Sequence, residues 1–158
     1  MRNVTITKYP YSPIDILPGD VLYSSIGRST YYVGHAVIVG TDGMCKEALP
    51  GKPAGHELSI FQFWGRHRFG DRILLMRAKV GGEEAADWAT KYLEEVKHYN
   101  LLNKDFTNVA QNYCFKFIAQ AYYYGAQQSI LKHTNQLITP FAFKREVQLE
   151  KTALFQIE

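Results

Sequence analysis

The stretch Asn112-Tyr113-Cys114-Phe115-Lys116-Phe117-Ile118-Ala119-Gln120-Ala121-Tyr122 decides how the rest of this sequence is read. Asn112 is a suitable helix N-cap, because its side-chain oxygen accepts from a first-turn backbone N–H that has no partner inside the helix. That places Cys114 at the second helical position, where the positive end of the helix dipole favours a negatively charged sulfur. Apolar residues recur at Phe117, Ile118, Ala121, Tyr122 and Gly125, the spacing of a helix with one buried face. The expectation is a helix anchored in a core and presenting sulfur at its start. A lone cysteine in an apolar stretch is more often a small buried hydrophobe. A nucleophilic one needs a histidine to take its proton and a third group to orient that histidine, so the reading turns on whether the chain supplies both.

Working outward, the segment that does so is Gly34-His35-Ala36-Val37-Ile38-Val39-Gly40, Thr41-Asp42-Gly43, then Met44-Cys45-Lys46-Glu47-Ala48-Leu49. Two short β-rich runs around an Asp-Gly turn predict a hairpin. A three-residue loop at 41–43 sets Gly40 opposite Met44 and Val37 opposite Glu47, which leaves His35 and Glu47 as diagonal neighbours on one face. A two-residue loop puts them on opposite faces. Singly, His35 reads equally well as a core histidine bonded to backbone, and Glu47 as a solvated strand residue. On one face they read as a base and its orienting carboxylate.

The remainder supplies a frame. At 158 residues, with 46% apolar and 14% aromatic residues and no low-complexity run, the chain predicts one folded domain over 1–158, with an irregular arm at 1–17. A net charge of +3 is too small to imply nucleic acid. Leu17-Pro18-Gly19-Asp20 is a turn leading into a strand at 21–24, and 25–32 reads as a loop. After a Pro/Gly loop at 50–55, residues 56–63 predict a short strand ending among Phe61, Phe63 and Trp64. Arg66-His67-Arg68-Phe69-Gly70-Asp71-Arg72 is a basic turn interleaved with aromatics; it reads as an element binding phosphate or nucleic acid or, more commonly, as a short solvated loop. A buried strand at 73–78 and an amphipathic helix opened by Gly81-Gly82 follow, then a polar linker at 99–111. Thr139-Pro140 signals a short helix, and the tail around 153–157 an edge strand. No stretch approaches a signal peptide or membrane span, which gives a cytoplasmic expectation, with export by a route lacking a cleavable signal left open.

Competing chemistries are poorly supplied. His56, His67, His98 and His133 are scattered without ligand spacing, so no metal or cofactor is expected, and nothing requires a Cys45–Cys114 disulfide. There is no Gly-x-Ser-x-Gly elbow and no phosphate-binding glycine loop. Pro18-Gly19-Asp20 before a strand, Gly34-His35-Ala36-Val37-Ile38-Val39, Glu47-Ala48, Tyr113-Cys114 opening a helix, and Thr139-Pro140 together resemble the circularly permuted NlpC-type cysteine hydrolases, the YiiX/YebB-like group. The order His, Glu, Cys is the permuted order, and the resemblance spans about residues 17–145.

The resemblance implies a papain-like α+β fold, an antiparallel and partly closed sheet with the Cys114 helix packed on it. It implies a thiol hydrolase cleaving a peptide, cell-wall-type or N-acyl amide. Cys114 would be the nucleophile, His35 the base and later acid, and Glu47 the orienting group. The Cys114 backbone N–H would serve the oxyanion, helped by a hydroxyl from Tyr31 or Tyr32. Phe115 departs from the small residue that follows the cysteine in many of that group, which leaves the cleft's shape open. The expected partner is a small peptide, amide or acyl substrate, with no nucleic acid and no integral membrane segment; the oligomeric state stays open. Two further readings remain. Lipid acyl transfer of the lecithin retinol acyltransferase-like type shares the His-before-Cys order, although a second histidine generally stands there where this chain has Glu47. A binding module without turnover would keep the fold alone.

Overall fold

A computed structural model describes residues 6–24 and 34–158. In chain order they form β1 (Val21–Ser24), β2 (His35–Val39), β3 (Cys45–Ala48), β4 (Gly55–Leu58), α1 (Ile60–Gly65), β5 (Arg72–Arg77) and α2 (Gly82–Tyr92). Then come β6 (His98–Tyr99), β7 (Gln111–Asn112), α3 (Cys114–Gln120), α4 (Pro140–Glu146) and β8 (Glu150–Gln156). Six strands build one antiparallel sheet in the order β4-β3-β2-β1-β5-β8, while β6 and β7 pair in parallel apart from it. The chain is therefore mixed α and β, and α3 lies against β2 and β3 of the antiparallel sheet.

Every residue of β1, β2 and β3 is buried, because the sheet is covered on both faces. Val21, Tyr23, Ala36 and Ile38 face a core containing Trp88, Phe117 and Phe143. Leu22, Val37, Val39 and Cys45 face a second core with Tyr9, Phe63 and Trp64. The two-residue alternation of a strand thus selects between cores rather than between core and water, which is why the strands read as continuous apolar runs.

The β2–β3 hairpin adopts the three-residue loop. Gly40 N–H donates to the Met44 carbonyl at 2.8 Å, and Ile38 pairs with Lys46 and Val39 with Cys45. Lys46 is buried, which an ammonium tolerates only when paired. Its Nζ meets Asp42 at 2.7 Å and Glu57 at 2.6 Å, so one cation holds the loop, β3 and β4 together.

The Pro18-Gly19-Asp20 turn anchors the sheet to the helices. Asp20 is buried and accepts from Tyr9 Oη at 2.6 Å, Arg77 Nε at 2.7 Å and Arg77 Nη2 at 2.8 Å. Gly19 has φ +87°, and a Cβ there would lie 2.2 Å from the Gly82 carbonyl oxygen, so only glycine lets this turn meet the start of α2.

Three local expectations change. Phe61, Phe63 and Trp64 lie in α1, not at the end of a strand. Ser59 Oγ accepts from Gln62 N–H at 3.1 Å while Gln62 Oε1 accepts from Ser59 N–H at 2.8 Å, a capping box that starts a helix. The ends of the 99–111 linker pair with one another as β6 and β7. The N-cap of α3 is Tyr113 rather than Asn112, which makes Cys114 the first helical residue. The arm's first five residues and the 25–32 loop lie outside the described residues.

Candidate active site

Cys114 and His35 are each the first residue of their element, and α3 packs on β2 so that the two element starts meet. Cys114 interacts with the His35 ring closely enough to raise its pKa. His35 Nε2 lies 2.7 Å from Glu47 Oε2, so Nδ1 is the ring nitrogen this bond leaves open. All three side chains are buried. Gly34, just before His35, takes φ +71°, and a Cβ there would press within 3.0 Å of Pro140, so this glycine sets how the chain delivers the imidazole.

Glu47 is itself held. Arg66 Nη1 donates to Oε2 at 2.8 Å, and Nη2 approaches Oε1 at 2.8 Å. The second approach is close but poorly aligned, so Oε1 gains charge contact without a directed hydrogen bond. A planar guanidinium meeting a carboxylate through two nitrogens fixes its plane as well as its charge. Arg66 was legible only as part of a basic turn. Its partner comes from a strand far away in sequence, and the available signal was the Ser59/Gln62 capping box that builds the helix delivering it.

The charges are mutually supporting. Burial would lower the His35 pKa, but its interactions with Cys114 and Glu47 outweigh burial and raise the ring to about 9. Burial would raise the Glu47 carboxyl, yet hydrogen bonds from His35 and Arg66 hold it below the ordinary value. Tyr99, on β6, is raised to about 12, by burial first. It is positioned by the pairing of β6 with β7, which sets Tyr99 opposite Asn112 and which the polar linker gives no hint of.

The surroundings are built to hold this geometry. Asn112 Nδ2 donates to Gln120 at 2.7 Å, and Gln120 Nε2 to the carbonyls of Phe106 and Asn108, bracing the start of α3 against the linker. Lys116 is buried and donates to the Gln111 carbonyl at 2.8 Å; burial lowers its pKa to about 8. Phe115 packs on Tyr23 and Phe143, so the bulky residue after the cysteine fills the core and anchors α4. His67 bonds the Phe63 carbonyl through Nδ1 and Ser24 Oγ through Nε2, outside the Cys114 cluster. Cys45 is free and buried, and burial above all pushes its thiol well up, the opposite of a nucleophile's setting. Tyr31 and Tyr32, the expected oxyanion donors, lie outside the described residues.

A family model described as lipoprotein N-acylation protein LnsA-like matches residues 4–153. The chain belongs to this LnsA-like family. It is a papain-like, lecithin retinol acyltransferase-type acyltransferase family. No match to the chain was found among curated proteins or among solved structures. In the LnsA-like chain described here, a cysteine, a histidine and a carboxylate therefore converge within a matched region that includes them all.

Proposed function

We propose that the protein is a cysteine-dependent acyltransferase that carries an acyl group as a thioester on Cys114. The observation carrying this reading is the buried His35 ring, 2.7 Å from Glu47 through Nε2 and raised in pKa by its interactions with Glu47 and Cys114. Membership of a lipoprotein N-acylation family supports acyl transfer over other thiol chemistry and suggests an acyl lipid as donor and a lipoprotein amine as acceptor. The His-Glu-Cys order supports the permuted papain-like fold, with the α3 helix bearing the nucleophile.

In the first half-reaction the Cys114 thiolate attacks the carbonyl carbon of the acyl ester. The negative oxygen that forms is served by the Cys114 backbone N–H at the start of α3. Collapse breaks the carbon–oxygen bond, and the His35 imidazolium gives its proton to the leaving alcohol. In the second half the acceptor amine attacks the thioester, neutral His35 takes the amine's proton, and sulfur leaves as thiolate. The products are an amide and the regenerated thiolate–imidazolium pair. Glu47 keeps Nε2 engaged and stabilises the charged ring, while Arg66 keeps Glu47 ionised. Amide hydrolysis uses the same groups with water as acceptor. The carboxylate Glu47, in the place of the second histidine common in lecithin retinol acyltransferase-like enzymes, favours that second reading.

The test is to incubate the protein with a phospholipid donor and read its intact mass. Acyl transfer predicts one added acyl group, removed by neutral hydroxylamine and missing in Cys114→Ala, which a peptide amine then discharges as amide. Release of free fatty acid only, or cleavage of an amide substrate without any acyl transfer to amine, would select hydrolysis instead.

A further inference from the structure

The Arg66–Arg72 segment is only partly used by the site. Arg66 and His67 turn inward, to Glu47 and Ser24, which fixes the start of the segment beside the catalytic cluster. The following residues turn outward. Arg68 N–H donates to Asp71 Oδ2 at 2.7 Å, Asp71 N–H donates to the Arg68 carbonyl at 2.9 Å, and Gly70 takes φ +88°. This ordered turn puts Phe69 at its tip, 86% exposed, between the exposed Arg68 and Arg72. Gly70 N–H also donates to the Ile157 carbonyl at 2.8 Å, joining the tip to the end of β8, an edge strand of the sheet. There an open groove is lined by Tyr11, Trp64, Leu154, Phe155 and Ile157, with Tyr11 and Leu154 exposed.

An aromatic tip held out between two guanidinium groups, continuous with an apolar groove, matches a partner that is negative at its surface and apolar just beneath. That is the make-up of an anionic lipid bilayer. Nucleic acid would match the arginines but not the groove, and a single turn on a chain of net charge +3 offers no basic stripe along which a phosphate backbone could run. The acidic groups here are few: Asp71, engaged with Arg68 N–H, and Glu158 at the groove's end.

We infer that the Arg68-Phe69-Gly70-Asp71-Arg72 turn and the adjoining Tyr11–Leu154 groove dock the protein on an anionic lipid surface. Because Arg66 and His67 begin the same segment, docking sets the Cys114–His35–Glu47 cluster beside the layer that holds acyl donors. The inference rests on the acyl-transfer reading for its purpose, but its test does not.

The test is co-sedimentation of the full chain with vesicles of mixed phosphatidylglycerol and phosphatidylcholine, against phosphatidylcholine alone. Binding is expected on the anionic vesicles, about tenfold or more weaker on the neutral ones, and lost in high salt. Phe69→Ala is expected to weaken it about tenfold. The pair Arg68→Ala and Arg72→Ala should weaken it roughly 30-fold. Phe69→Trp retains it. Cys114→Ala binds as wild type, so docking is read apart from catalysis: vesicle binding with no acyl transfer from any donor defeats the enzyme reading and leaves docking standing. Acyl transfer in detergent by a protein that ignores anionic vesicles overturns docking. So does equal binding by wild type and Phe69→Ala. A dimer broken by Leu154→Asp, with no vesicle binding, would assign the surface to a second copy and likewise overturn the inference.

Discussion

His35 is an imidazole whose ordinary pKa near 6.5 is raised to about 9 by Cys114 and Glu47 in spite of burial. A raised value means that the folded protein binds this proton more tightly than the unfolded chain does. The stability so gained is complete below about pH 6.5 and is lost as pH rises through about 9. The stability difference between wild type and His35→Gln should therefore narrow between pH 7 and pH 10 in urea unfolding. Acyl transfer should show its alkaline limb near pH 9, where the ring stops supplying a proton to the leaving group; a decline starting near pH 6.5 would count against the charged ring as the working form. Glu47 runs the other way, since its lowered value gives stability that is lost as pH falls through the acid range. Arg66→Ala removes the donors that hold Glu47 down, so the acid limb should move to higher pH and unfolding free energy fall by about 1–2 kcal/mol. Arg66→Lys should restore part of the charge effect but not the two-nitrogen grip. At this scale His35, Glu47 and Cys114 were readable as chemical types. Arg66 was not, because a charge has no function in a sequence until its neighbours are known.

At the scale of elements, the site depends on one loop length. The 41–43 loop gives the register that pairs Ile38 with Lys46, and the same register lets His35 reach Glu47 at 2.7 Å. Deleting one residue from this loop forces either a one-residue slip, which turns Glu47 to the other face, or a strained bulge. The expected result is a folded but slow protein: Cys114 alkylation by iodoacetamide should fall to the rate of His35→Ala, while far-ultraviolet circular dichroism stays close to wild type. Wild-type alkylation in the deletion variant would show that the register is not what delivers the histidine. Period and turn chemistry made β1, β2, β3, β5, α2 and α4 legible in the sequence. The 56–63 segment was legible in its first half, where β4 ends at Leu58, and misled in its second, because an aromatic run suits a strand equally well and only the Ser59/Gln62 cap starts a helix there. Asn112 misled for a related reason. It has the side chain of a cap but spends it on Tyr113 N–H and Gln120, because β7 places it just outside the helix.

Across the whole molecule, the Cys114 helix keeps its position through ties to distant parts of the chain. Tyr122 Oη, one turn beyond α3, donates to the Gly19 carbonyl at 2.5 Å, and Gly19 presses against the start of α2. Gly19→Ala cannot be accommodated by a side-chain shift, because the atoms it meets are backbone. It should cost about 2–4 kcal/mol in urea unfolding and lower acyl transfer through a displaced α3, with little change in the mutant's far-ultraviolet spectrum at low temperature. The sequence by itself determined the local facts: which residues carry sulfur, imidazole and carboxylate, where strands alternate, and where helices begin at Gly82 and Pro140. It determined these because periodicity, turn chemistry and residue type are properties of neighbours along the chain. Only the tertiary structure decided that Arg66 grips Glu47 and that Phe115 fills the core instead of the cleft. These contacts join elements far apart in the chain, and their existence follows from how a two-faced sheet distributes its side chains between two cores.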